Sequence, residues 1–300
     1  MDLLPQHDRY DYIPLPERAD YAWPDGKRLA FMVTTNIEWF AFNAGLGHDP
    51  AKVNEPQTHR NYSWRDYGNR IGIWRLFDLL DELKLPAAHN TNSLVYRYAP
   101  QITDAIRRRG DEVVAHGRTN AENARGLWAA DEERILREVT DTIARHEGRP
   151  PRGWMGAGAY ETAHTPDLLK SMGYRYVMDW PMDDQPVWMR TTAGPLLSIP
   201  YPIEIDDAQA IVHRKYTGRD FCEMVVAQFD EMLMQCERHP LVMNVSIHPY
   251  IFGHPYQVNL LRTALKHCVE HEHAARVWWT RPGDCADFCW ELPAGVIPGR

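Results

Sequence analysis

Three residues far apart in the chain, Glu38, His116 and His248, are of the types that move protons in hydrolysis, and each stands where a β-favouring run gives out. Glu38 closes the segment Thr34-Thr35-Asn36-Ile37-Glu38-Trp39. Strand alternation sends Asn36 and Glu38 to one side and Ile37 to the other, so a polar pair points together as the strand ends. Beside Trp39 and Phe40, the Glu38 carboxylate is expected to lose water, which raises its pKa and suits it to taking a proton from water. The competing reading is a strand-end Glu in solvent or paired with an Arg. His116 precedes Gly117 after a β-favouring run, where an imidazole serves as ligand, base or anchor and the Gly allows a sharp turn. A structural His fits that position equally. His248-Pro249 follows Leu-Val-Met-Asn-Val-Ser-Ile, and Gly253-His254-Pro255 comes shortly after. Imidazoles held by rigid Pro turns suit a general acid, worth about 10² to 10⁴ in rate. The alternative for His248 is a strand-end hydrogen bond.

A second polar group, Asp179-Trp180-Pro181-Met182-Asp183-Asp184-Gln185-Pro186, directly follows another β-favouring run. Acids gathered among rings and prolines need hydrogen bonds or a cation, and Asp179, Asp183 and Asp184 are candidates to grip substrate N–H groups. Each also fits an ordinary Asp-capped turn. The dinucleotide, Walker A, zincin and serine-elbow patterns are absent from the sequence, which lowers the weight of those chemistries.

These residues need a scaffold. β-favouring runs at 28–35, 87–92, 112–116, 174–178, 196–201, 241–248 and 276–280 alternate with helical stripes at 70–83, 100–109, 131–146, 165–172, 219–236 and 257–271. Strand followed by helix, repeated, predicts a parallel sheet with helices outside and chemistry at the carboxyl ends of the strands. Residues 40–63 lack periodicity and read as a long loop at that face. Residues 1–27, rich in Pro and Tyr and ending in Trp23-Pro24-Asp25-Gly26-Lys27, read as an arm packed on a single domain spanning 28–300.

With 11 Trp, 14 Tyr and 8 Phe in 300 residues, the chain can close a large core and still line a pocket with rings. A formal charge of −8 opposes binding to nucleic acid or anionic lipid, which need basic surfaces. Five cysteines without CxxC spacing predict buried packing rather than a disulfide framework. No signal peptide or run of roughly 20 apolar residues is visible, which predicts a cytoplasmic protein.

The order of these pieces resembles the polysaccharide deacetylases of carbohydrate esterase family 4, and more closely their branch of cofactor-independent allantoinases. The pieces are Asn36 to Glu38, His116-Gly117, the loop Gly153-Trp154-Met155-Gly156-Ala157-Gly158, Asp183 to Pro186, and His248 to Pro255, with Trp23 to Gly26 and Tyr67-Gly68-Asn69-Arg70. The resemblance runs over about residues 10–280. It implies an α/β fold, an irregular seven-stranded (β/α) barrel, and a homo-oligomer, a dimer or tetramer. The metal-dependent members carry an Asp base and an Asp ligand on strand one, an H-x-x-x-H ligand pair and a loop Arg. Here Asn36 and Glu38 stand at the first two positions, Asn120 replaces the second His, and Gly158 stands where the Arg would be.

The resulting expectation is a hydrolase of non-peptide C–N bonds in a small amide or ureide. Glu38 would activate water, Asn36 and His116 would position the carbonyl and stabilise the oxyanion, and His248 would protonate the leaving nitrogen. Trp39 and Trp154 would form walls, with Asn120 and His254 joining the three acids in binding substrate. No metal or other cofactor is favoured, because Glu38, His116 and Asn120 make a poor Zn²⁺ set, although oxygen ligands there could hold another divalent ion loosely. Two alternatives stay open: a metal-dependent N-acetyl-sugar deacetylase, and a catalytically inactive barrel that binds small molecules.

Overall fold

The computed structural model describes residues 4–43, 57–122, 124–201 and 203–300. Its centre is β1 (Leu29–Ile37), nine residues all buried. Alternation along β1 sends Leu29, Phe31 and Val33 to the helical layer, where they pack with Phe229, Leu233 and Leu265. Ala30 and Met32 point the other way, into an interior shared with Tyr176, Met178, Trp188 and Leu197. Reading up that inner face, the series Ala30, Met32, Thr34, Asn36 passes from apolar to polar and ends at Glu38, so the strand itself carries the gradient from packed floor to reactive rim.

Around β1 lie β2 (Ala88–Thr91), β3 (Glu112–Ala115), β4 (Gly153–Trp154), β5 (Tyr176–Val177), β6 (Val187–Met189), β7 (Leu196–Ser198), β8 (Leu241–Ile247) and β9 (Val277–Trp279). They form a nine-stranded sheet in the order β6-β7-β5-β4-β3-β2-β1-β8, parallel except for the β6/β7 hairpin, while β9 pairs with the lower half of β1. All seven anticipated strands are present. The two extra ones escape a pattern search because β4 is two residues long and β6 is the short return limb of a hairpin. Gly153 is required in β4, since a Cβ there would collide with the Tyr176 ring. Among the described residues no strand ladder joins β8 to β6 or β7. That seam is bridged by single bonds, Val242 N–H to Asp184 O at 2.8 Å and Ser246 N–H to Ile205 O at 2.9 Å, which makes the barrel irregular.

One correction concerns the segment after β1. The expected loop at 40–63 contains the start of a helix, His59–Tyr67, capped by the Thr58 side chain accepting from Asn61 N. Its sequence has no apolar stripe, so periodicity gave no sign of it; positions 44–56 lie outside the described residues. That helix runs through a widened turn, Gly68–Gly72, into the helix Ile73–Glu82. The widening has a packing cause: a Cβ on Gly68 would lie 2.7 Å from Tyr250 N, and one on Gly72 would strike the Pro249 carbonyl. These glycines let the helix press against the turn that carries His248. At the amino end, Arg18 forks onto Asp183 at 2.7 and 2.6 Å, Arg9 onto Asp167, and Trp23 inserts under the barrel with its indole N–H on Leu241 O. All five cysteines are buried and unpaired. No helix of the described residues is long and apolar enough to cross a membrane.

Candidate active site

Sheet register explains why the distant residues meet. Ile37 pairs with Thr91, and Thr91 with Ala115, so the next residue on each strand, Glu38, Asn92 and His116, stands at one level and faces one way. On the other edge of β1, Thr35 pairs with Ile247, which brings His248 to the same rim. The three expected reacting residues therefore converge at the carboxyl ends of the strands. Glu38 Oε1 lies 3.7 Å from His116 Nε2 and 3.6 Å from His248 Nε2.

Each imidazole is held from behind. His116 Nδ1 is 2.6 Å from the Met155 carbonyl, an acceptor only, so Nδ1 carries the hydrogen and a neutral ring presents a lone pair at Nε2. His248 is gripped by Asp207, whose Oδ1 meets ring Nδ1 at 2.6 Å and whose Oδ2 accepts the backbone N–H at 2.8 Å. Glu38 is oriented by a relay of amides. The Trp39 N–H donates to Asn92 Oδ1 at 2.7 Å, so the Asn92 amide nitrogen faces away and donates to His116 O and to Asn120 Oδ1. Asn120 then has its nitrogen turned to Glu38 Oε1. Glu38 Oε2 and His116 Nε2 are buried without a hydrogen-bond partner, unmet polar atoms that a substrate or water would satisfy.

The electrostatics reverse one expectation. Burial alone would raise the Glu38 pKa, but the charge of His248 and its contact with the carboxylate outweigh it and hold the carboxyl below its usual range. Burial opposes protonation of His248, yet the Asp207 and Glu38 carboxylates win and raise its pKa well above the ordinary value. Burial pushes Asp207 up to about 6, partly offset by His248. The resting arrangement is Glu38 carboxylate, His248 imidazolium and Asp207 carboxylate. That is an acid ready to donate beside an anion that is a weak base on its own.

The other anticipated residues divide. Trp39 lines a cleft of about 200 Å³ with Glu38, Phe40, Tyr62, Arg65, Asp66 and Asn69. Trp154 lines a separate hollow of about 480 Å³ beyond the exit of β3. The one fully buried acid lining it, Glu132, already accepts the hydroxyls of Thr162 and Thr165, and of the three converging residues Glu38 is the one that lines the smaller cleft. Asn36 sits one layer below Glu38, its amide donating to Tyr201 OH and Ser246 Oγ and accepting from Asn90; it is committed inside the barrel and unavailable to an oxyanion. His116 likewise presents an acceptor, not an oxyanion donor. The three acids do not gather. Asp179 accepts Gly156 N–H at 2.7 Å and faces Glu161, Asp183 holds Arg18, and Asp184 is exposed. His254 stacks on Tyr67 with ring centroids 4.2 Å apart, in the packing behind the site. The sequence reading missed Asp207 and Asn92. Consecutive acids in Asp206-Asp207 were a visible signal for the first.

The residues named as a fallback metal set do not suit a cation, because Asn120 turns a donor, not its oxygen, toward Glu38. Among the described residues two other groups bring ligand atoms within 4.8 Å: Asp206, Asp207 and His248, and, on the surface, Asp230, His267 and His271. In the first, Asp207 and His248 are bonded to each other, and Asp206 already accepts from Ser246 and the Gln209 N–H.

No protein-family model matches the chain. A Schizosaccharomyces pombe protein named as a polysaccharide deacetylase is 23% identical over 283 residues, covering 83% of this chain and 87% of that one. The crystal structure of PuuE allantoinase superposes with a TM-score of 0.79 at 23% identity, covering 88% of this chain and 91% of the other. A Pseudomonas aeruginosa structure named as a polysaccharide deacetylase gives 0.81 at 22% identity, covering 90% and 94%. The curled, mostly parallel sheet is thus the fold of the PuuE allantoinase and Pseudomonas aeruginosa structures.

Proposed function

We propose that the chain is a cytoplasmic hydrolase of non-peptide C–N bonds, acting on a small amide or ureide without a metal ion. The observation that carries this reading is a single carboxylate oxygen of Glu38 lying between the Nε2 atoms of His116 and His248, each ring braced from behind. Water held by Glu38 Oε2 and His116 Nε2 has its lone pair free to attack a carbonyl. Its proton goes to the open Nε2 lone pair of His116, and Glu38 stabilises the imidazolium that forms. The His248 imidazolium supports the tetrahedral oxyanion, then donates its Nε2 proton to the leaving nitrogen as the C–N bond breaks. The names of the similar proteins, deacetylases and an allantoinase, agree with this class of reaction.

The test is a turnover screen of chelator-treated protein over cyclic ureides, linear amides, formamides and N-acetyl sugars, with His248→Ala and Glu38→Gln as controls. Hydrolysis of one small amide class, lost in both folded variants, is the expected result. Turnover of N-acetyl sugars only after metal is restored would overturn it.

A further inference from the structure

The helix His59–Tyr67 buries charge and amide where helices usually bury apolar side chains. Asn61 and Arg65, four residues apart and so on one face, are 1% and 3% exposed. The Arg65 guanidinium lies over Phe40, its Cζ 3.8 Å from the ring centroid, and 5.5 Å from that of Tyr250. Stacking fixes its plane, but Nε and Nη2 are buried without any hydrogen-bond acceptor. A guanidinium keeps its charge at any accessible pH, and leaving its donors unmet in the interior is costly. Nε–H and Nη2–H also form one edge of the group, two parallel donors spaced to grip both oxygens of a carboxylate.

Arg65 lines the same cleft as Glu38. Of the carboxylates there, Asp66 pairs with Arg70, and Glu38 turns Oε1 to Asn120 and His248 while its Oε2 lacks a hydrogen-bond partner; neither makes an ion pair with Arg65 among the described residues. The cleft opens to solvent, and its space of about 200 Å³ includes the water at its mouth.

We propose that Arg65 is a subsite for a substrate carboxylate, which makes the substrate of this site an N-acyl or N-carbamoyl derivative of a small amino acid. The proposal rests on the hydrolytic reading above and adds the group that the substrate carries next to the cleaved bond. Arg65 acts in binding: its contact is the same before and during bond cleavage, so its loss appears in KM more than in kcat.

The experiment compares N-formylglycine and N-carbamoylglycine with their uncharged glycinamides, by turnover and by calorimetric binding, in wild type, Arg65→Gln and Arg65→Lys. Wild type should favour the acids about ten- to a hundredfold in KM or Kd, Arg65→Gln should erase that preference, and Arg65→Lys should recover part of it. Equal affinity of wild type for acids and amides would overturn the carboxylate subsite, and this comparison needs no variant to fold. A loss in Arg65→Gln that falls equally on acids and amides would also overturn it. Arg65-dependent binding of the acids with no turnover of any compound would leave the subsite standing and remove the hydrolytic reading instead.

Discussion

Asp207 holds His248 by both of its carboxylate oxygens, one on the ring Nδ1 at 2.6 Å and one on the backbone N–H at 2.8 Å. The same carboxylate thereby sets the tautomer of the ring, its orientation and its charge. Asp207→Asn keeps the shape and removes the charge, so turnover should fall by roughly 10² to 10⁴ while the melting curve stays cooperative. An Asn variant with wild-type kcat would take His248 out of the acid role.

The pH profile follows from the same pair. His248 acts as its imidazolium, and its pKa is raised, so activity persists through neutral pH and is lost as pH rises through that elevated value. On the acid side Asp207, pushed up to about 6, takes a proton and releases its grip, so turnover should decline below about pH 6, not in the ordinary carboxylate range. In Asp207→Asn the acid limb should vanish and the alkaline limb should move to lower pH. Rate measurements from pH 4.5 to 10 on both proteins check the two shifts together; an unmoved alkaline limb would assign it to another group.

How much of this was readable in the chain depended on distance and punctuation. Glu38, His116 and His248 stood out because each is an ionisable residue at or just past the end of a β-favouring run and two are followed at once by Gly or Pro. Register then did the rest, since parallel neighbours carry their terminal residues to one rim. Asp183 was misread because a carboxylate that grips an arm and one that grips a substrate look alike in sequence, and its partner Arg18 lies 165 positions away. Arg65 was invisible for another reason: its helix has no apolar stripe, and the burial of that face comes from Phe40 and Tyr250, which tertiary packing brings there. Asp207 follows β7 in a stretch without period and meets His248 from 41 positions away.

Behind the site, Asp179 and Glu161 are buried against each other with one oxygen apiece lacking any other partner. Burial raises both; the Glu161 charge adds to the rise of Asp179, and Glu161 reaches about 7 against the hydrogen bonds of Asp179 and Trp180 that oppose it. A folded-state pKa above the unfolded one contributes stability that is complete below about pH 4 and lost as pH climbs through about 7. The Tm should therefore drop between pH 5 and pH 8 by a few degrees, about 2 kcal/mol, and Glu161→Gln should flatten that slope. Scanning calorimetry of both proteins decides it; an equal slope in the variant would place the titration elsewhere.

The glycines at the helix turn make a purely steric prediction. A Cβ at Gly72 meets backbone, the Pro249 carbonyl, and no rotamer change relieves it. Gly72→Ala should cost about 1–3 kcal/mol in urea unfolding and, by displacing the segment after His248, reduce turnover as well. Gly110→Ala, at a helix end with open space around its Cβ position, is the control: it should lose stability through its left-handed φ of 71° while leaving turnover per folded molecule unchanged.

The last prediction concerns metal. Asn120 turns its amide nitrogen to Glu38 because its oxygen is occupied by Asn92, and Asn92 in turn is fixed by the Trp39 N–H. Rotating the Asn120 amide to offer oxygen would set two NH₂ groups against each other, so the relay itself disfavours a cation beside Glu38 and His116. An imidazole at that position offers a lone pair instead. Asn120→His should give a protein that retains Zn²⁺ at one ion per chain through gel filtration, measured by elemental analysis, while wild type treated alike retains none and keeps its turnover. Stoichiometric metal in chelator-treated wild type, with activity following its content, would overturn the metal-free mechanism and would require the Asn92 relay to rearrange on binding.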